Sequence, residues 1–144
     1  MISGRRFQVV ILLGFCCGLL VLSTFNSADA ASPQDAVQHE LDQTRAALAR
    51  GDLKAADEAV QKALHLNPAS AQALHLHGLV LLKSRKPNEA AEEFVRALKV
   101  KPAFAEALND LAEVYAAQGK SAEAQQALTK AIEADPKHAE SYLD

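Results

Sequence analysis

Apolar positions along this chain follow a helical period, and one pattern of them returns at a fixed spacing. In Glu89–Pro102, Ala90, Phe94, Ala97 and Leu98 fall at i, i+4, i+7 and i+8, one face of a helix that Pro102 closes. Thirty-four residues earlier stand Ala56, Val60, Ala63, Leu64 and Pro68, and thirty-four later Ala124, Leu128, Ala131, Ile132 and Pro136. Recurrence of small, bulky, small, aliphatic and proline in one order marks stacked units that share a core. The pattern predicts helix pairs. Ser32 is the candidate N-cap of a first helix that runs to Arg50, with Pro33 in its first turn. Gly51-Asp52 turns the chain into Leu53–Leu66, which Asn67-Pro68 ends. Gln72–Ser84 and Asn88–Lys101 follow, with the bend at Arg85-Lys86-Pro87, then Ala105–Gln118 and Ser121–Ala134 around Gly119-Lys120.

These residues resemble the tetratricopeptide repeat family, whose unit is a helix–turn–helix of this period. Leu74 and Gly78, and then Leu108, Leu111 and Tyr115, fit the first helix of the family's unit. The second-helix pattern fits in all three units, Val37–Ser70, Ala71–Phe104 and Ala105–His138. The first helix departs from it: Glu40, Gln43 and Thr44 stand where large apolar residues or glycine are usual, as suits an end cap. Arg85 replaces the family's usual glycine, so that turn is expected to differ from its neighbours. The resemblance implies an all-α solenoid of three repeats, with residues 31–36 as a short lead and 139–144 as the start of a capping helix or a truncated repeat. A solenoid needs a polar closing element: either the sequence is a fragment, or Leu128, Ile132 and Tyr142 leave an apolar edge that pairs with another copy or a partner.

The first 30 residues read as a leader. Arg5 and Arg6 precede an apolar run from Val9 to Leu22, and Ala28-Asp29-Ala30 offers small residues for cleavage after Ala30. Retention of Val9–Phe25 as a membrane anchor is the alternative. Both cysteines lie inside the leader, so the mature chain would carry no thiol, and its net charge would be −4 against −3 for the whole. Hydrophobic residues make up 49% of the chain and aromatic ones 5%, a composition that fits one small globular domain. The fifteen basic residues form no cluster beside aromatics, which argues against a nucleic-acid surface.

Catalytic and metal chemistry find little support. His75 and His77 lie on nearly opposite faces of a helix and cannot share an ion; His77 is expected to be partly buried and the other histidines solvated. The acidic pairs Asp57-Glu58 and Glu92-Glu93 read as solvated helix faces, and no phosphate loop, nucleophile elbow or zinc-protease helix is present. The expectation is a chain that is not an enzyme and uses no cofactor or metal.

Binding remains. In the family the first helices line a groove for an extended or helical segment. Transferred position by position, the groove would comprise Gln38, Leu41, Arg45 and Leu48; Gln72, His75, Leu79, Leu82 and Lys83; and Glu106, Asn109, Glu113 and Ala116, with Asp110 beside them. The lysine, arginine and asparagine clamp that some members close on a terminal carboxylate is missing, because Leu41, Arg45, Leu76, Glu106 and Asp110 occupy those positions. The expected function is a scaffold in the cell envelope, periplasmic, binding a protein or peptide partner through this groove. The alternative is a membrane-anchored assembly subunit that forms a homo-oligomer through its C-terminal end.

Overall fold

The computed structural model describes residues 32–136. The leader over 1–30, with its cleavage site, and the closing segment 139–144 with Tyr142 lie outside the described residues.

Six helices follow in order: α1 Pro33–Arg50, α2 Leu53–Leu66, α3 Ala71–Lys83, α4 Pro87–Val100, α5 Ala105–Ala117 and α6 Ser121–Ala134. They pack as antiparallel pairs, α1 on α2, α3 on α4 and α5 on α6, and each pair meets the next through α2 on α3 and α4 on α5. Because α1 also packs on α3, the first helix of each pair forms an inner layer and the second helix an outer one. The result is an all-α solenoid.

Local chemistry sets where the helices begin. The Ser32 hydroxyl accepts the Asp35 amide at 3.2 Å while the Asp35 carboxylate accepts the Ser32 amide at 2.9 Å, a complete capping box. The Ser32 amide and hydroxyl together hold the Asp35 carboxyl below its usual range, so this cap weakens as pH falls through that range. Asp52 and Ser70 cap α2 and α3 through the amides of Ala55 and Ala73. Ser70 draws the start of α3 to Ala71, one residue before the expected Gln72. Pro87 belongs to α4 rather than to the bend, since a missing N–H costs nothing at a first helical position.

The three turns within pairs share one backbone. Gly51, Arg85 and Gly119 stand thirty-four residues apart and have φ of 73°, 60° and 73°. In each turn the next residue's amide reaches back five residues to a carbonyl: Asp52 to Ala47, Lys86 to Leu81, and Lys120 to Tyr115. The turn at Arg85 therefore does not differ from its neighbours as expected. The backbone bonds hold even a side-chain-bearing residue in the left-handed region.

Inside the second pair a small residue faces a large one. A Cβ on Gly78 would lie 2.4 Å from the Phe94 ring, and Phe94 is fully buried. The equivalent residues are Thr44 with Val60 in the first pair and Ala112 with Leu128 in the third. The small member grows where the large one shrinks. Thr44, expected as an oddity of an end cap, is fully buried, and its hydroxyl donates to the Glu40 carbonyl at 2.8 Å.

Two stability measurements by urea denaturation check this account. Arg85→Gly should stabilise the protein by about 1 kcal/mol, since a left-handed residue with a Cβ carries a strain that glycine lacks. Gly78→Ala should destabilise it by about 1–3 kcal/mol through overpacking, and Phe94→Leu in the same chain should recover part of that loss.

Candidate functional site

The inner layer carries the residues expected to form a groove. On α3, His75, Leu79, Leu82 and Lys83 follow helical spacing along one face; on α5, Glu106, Asn109, Asp110 and Glu113 do the same. Arg45 on α1 is exposed and paired with Asp42 at 2.8 Å. Leu48 and Leu79 are half-buried against the first core cluster, and Leu79 and Leu82 against the second, so each offers only part of its surface. Lys83, Glu106, Glu113 and Ala116 are exposed, and Asn109 is half-buried. Leu41, carried into the groove by the family pattern, is instead buried at 2% exposure in the first core cluster. Gln38 and Gln72 line a cleft of about 230 Å³, floored by Val37 and Leu41, where the start of α1 meets the α2–α3 connection.

The structure brings two of these residues into direct contact. His75 Nε2 lies 2.5 Å from Asp110 Oδ2, which ties α3 to α5, and the imidazole packs edge-on against Phe104 with ring centres 5.0 Å apart. His75 is thus neither solvated, as expected, nor free to meet a ligand with its polar edge. The same inter-pair position is apolar one unit earlier. Leu41 and Leu76, thirty-four residues before His75 and Asp110, both belong to the first core cluster.

His77 lies between α2 and α4 and is half-buried. Its Nε2 is 3.7 Å from Asp57 Oδ1 on α2, and its buried Nδ1 is 3.6 Å from Glu93 Oε2 on α4 without a hydrogen bond. Arg96 Nη1 donates to both Glu93 carboxylate oxygens, at 2.6 and 2.9 Å. Asp57 and Glu93, read from the sequence as solvated, are therefore half-buried partners of a histidine, whereas Glu58 and Glu92 are exposed. The signal for this network was in the register: the position of His77 carries Leu111 in the next unit, and an interior position explains why a carboxylate turns towards it. Among the described residues no group of three His, Cys, Asp or Glu is placed to hold a metal ion.

Asp110→Leu alone should destabilise the protein by about 1–3 kcal/mol, because it strips a largely buried imidazole of its partner. His75→Leu with Asp110→Leu, which copies the Leu41 and Leu76 contact, should regain most of that loss in thermal and urea melts.

The tetratricopeptide repeat family model matches residues 75–139. No curated protein matches the chain. Among solved structures it is similar to MamA, at 27% identity and a TM-score of 0.65 over 72% of this chain and 61% of that one. It is similar to PilF of Pseudomonas aeruginosa at 28% identity and a TM-score of 0.67, over 69% of this chain and 45% of that one. The second tetratricopeptide domain of Spaghetti (RPAP3), bound to the HSP90 peptide SRMEEVD, shares the fold alone, with 19% identity and a TM-score of 0.66 over 72% of this chain and 97% of that one. The chain thus spans about three fifths of MamA and less than half of PilF. Residues 75–139 thus match the tetratricopeptide repeat family, and the helix pairs of the described residues have the period and geometry of that repeat.

Proposed function

We propose that this protein is a non-catalytic interaction scaffold of the cell envelope, which binds a segment of a partner protein along its inner layer. The observation that carries this reading is the pairing of surfaces there. Leu79 and Leu82 leave apolar surface partly open on α3, while Glu106 and Glu113 stand exposed on α5, with no ion pair among the described residues. Asp110 is already committed to His75, so Glu106 and Glu113 are the carboxylates left for a ligand. A segment with an apolar anchor and a basic residue fits this surface. A terminal carboxylate does not, because Glu106 and Asp110 stand where a clamp would need cations or amides. The basic start, apolar run and small-residue site of residues 1–30 support export to the periplasm, where a chain whose cysteines leave with its leader meets no thiol hazard.

One observation favours a second reading, a membrane-anchored subunit that self-associates through α6. Leu128 and Ile132 are 47% and 52% exposed on that helix, whereas Val60 and Phe94, equivalent to Leu128, are fully buried. Contiguous apolar surface of this kind marks an interface. Fractionation separates the two readings: a soluble periplasmic chain beginning at Ala31 fits the first, and a membrane-bound chain retaining Val9–Phe25 fits the second.

The groove is tested by charge reversal. Glu106→Lys with Glu113→Lys should leave the melting temperature within a few degrees, as both side chains are exposed, and should weaken capture of the native partner at least tenfold. Undiminished capture would remove the acidic inner face from the mechanism.

A further inference from the structure

The outer layer contains a second surface that the inner-layer reading does not use. Two adjoining clefts share Val95, Lys99 and Tyr115: one of about 470 Å³ between α4 and the α5–α6 turn, and one of about 350 Å³ between α4 and α6 over α5. Their floor is apolar, with Leu98, Leu108, Leu111 and Ala127 in the second cleft and Ala91 in the first. Lys99 and Lys130 stand on the walls with no ion pair among the described residues, and Lys120 lies over the Tyr115 ring. Arg96 is held by Glu93, and the carboxylates lining the clefts are Glu92 and Glu123. Cations therefore outnumber carboxylates along a channel in a chain of net charge −3.

The preceding groove, between α2 and α4 over α3, shows what this one lacks. There Asp57, His77, Glu93 and Arg96 form a chain of polar contacts across the three helices. Thirty-four residues on, those four positions hold Ala91, Leu111, Ala127 and Lys130. The first groove supplies its own carboxylate, Glu93, to its own cation, Arg96. In the second, alanine replaces that carboxylate and leaves Lys130 facing an apolar hollow.

We propose that the α4–α6 groove is a docking site for an acidic, apolar segment of a partner protein. A bulky apolar side chain of the segment fills the space above Ala91, Leu111 and Ala127, and flanking carboxylates meet Lys99 and Lys130. The occupant provides from outside the carboxylate that Glu93 provides from within one unit earlier. Its chemistry is opposite to that of the basic segment assigned to the inner layer, so the two surfaces would take different partners.

The test uses the full-length chain, isotopically labelled, and two amidated pentapeptides, Glu-Phe-Asp-Leu-Glu and Lys-Phe-Lys-Leu-Lys, titrated to millimolar concentration. The acidic peptide should shift amide resonances centred on Val95, Leu111 and Tyr115, and the basic one should not shift them. Lys99→Glu with Lys130→Glu, both at exposed positions, should weaken the acidic peptide at least tenfold. Ala127→Glu, which transplants the residue found at Glu93, should do the same while helical circular dichroism stays unchanged. Glu106→Lys with Glu113→Lys should leave this binding unaltered, which separates it from the inner surface. Absence of the shifts in the unaltered chain, shifts centred on α3 instead, or equal affinity after the lysine reversals would each overturn the proposal.

Discussion

The volume shared between paired positions in adjacent helices is the constraint on which the rest of the structure depends. Gly78 admits the Phe94 ring to a depth that any Cβ would block, and the buried ring then fixes how closely α3 and α4 approach. Interiors packed to crystal-like density tolerate little change in volume at such a contact. The first pair places Thr44 and Val60, both fully buried, at the equivalent positions. Once this distance is set, Ala90 and Ala97 bury completely on α4 and the turns close with one backbone geometry. The register between pairs follows, and with it the surfaces of the inner and outer layers.

Polarity is crossed between the two junctions of the solenoid. Between the first and second pairs the inner contact is apolar, through Leu41 and Leu76, and the outer one is polar, through Asp57, His77 and Glu93. Between the second and third pairs the inner contact is His75 with Asp110, and the outer groove is apolar and open. Identical backbones thus carry different chemistry on each face. Repeat proteins derive stability from each unit and each junction in near-additive fashion, so substitutions at one junction can change a surface without dismantling the other.

Most of the fold was legible in the sequence because period, proline and glycine are local signals. Ala90, Phe94 and Ala97 at one spacing were enough to place the second helices, and Ser32 with Pro33 announced the first. The site was legible only in part. Glu106 and Glu113 are exposed where the family pattern put them, but helical spacing alone could not show that Leu41 turns into the core, or that His75 meets Asp110 thirty-five residues away. Such contacts depend on how helices from different units abut. Comparison of equivalent positions held more information than any single motif: Leu111 in the place of His77 indicated an interior position.

The helix caps are unevenly distributed, and this bears on how the chain acquires its structure. Side chains of Ser32, Asp52 and Ser70 close the starts of α1, α2 and α3, whereas Lys86, Phe104 and Lys120 offer α4, α5 and α6 no such bond. Starting a helix is the costly step and continuing it is not, and a side-chain cap contributes about 1 kcal/mol at that point. Helices α1 to α3 therefore nucleate more readily and present a ready-made apolar surface on which α4, α5 and α6 condense. A chain that emerges amino end first, from a ribosome or through a membrane pore, would meet its best nucleus first.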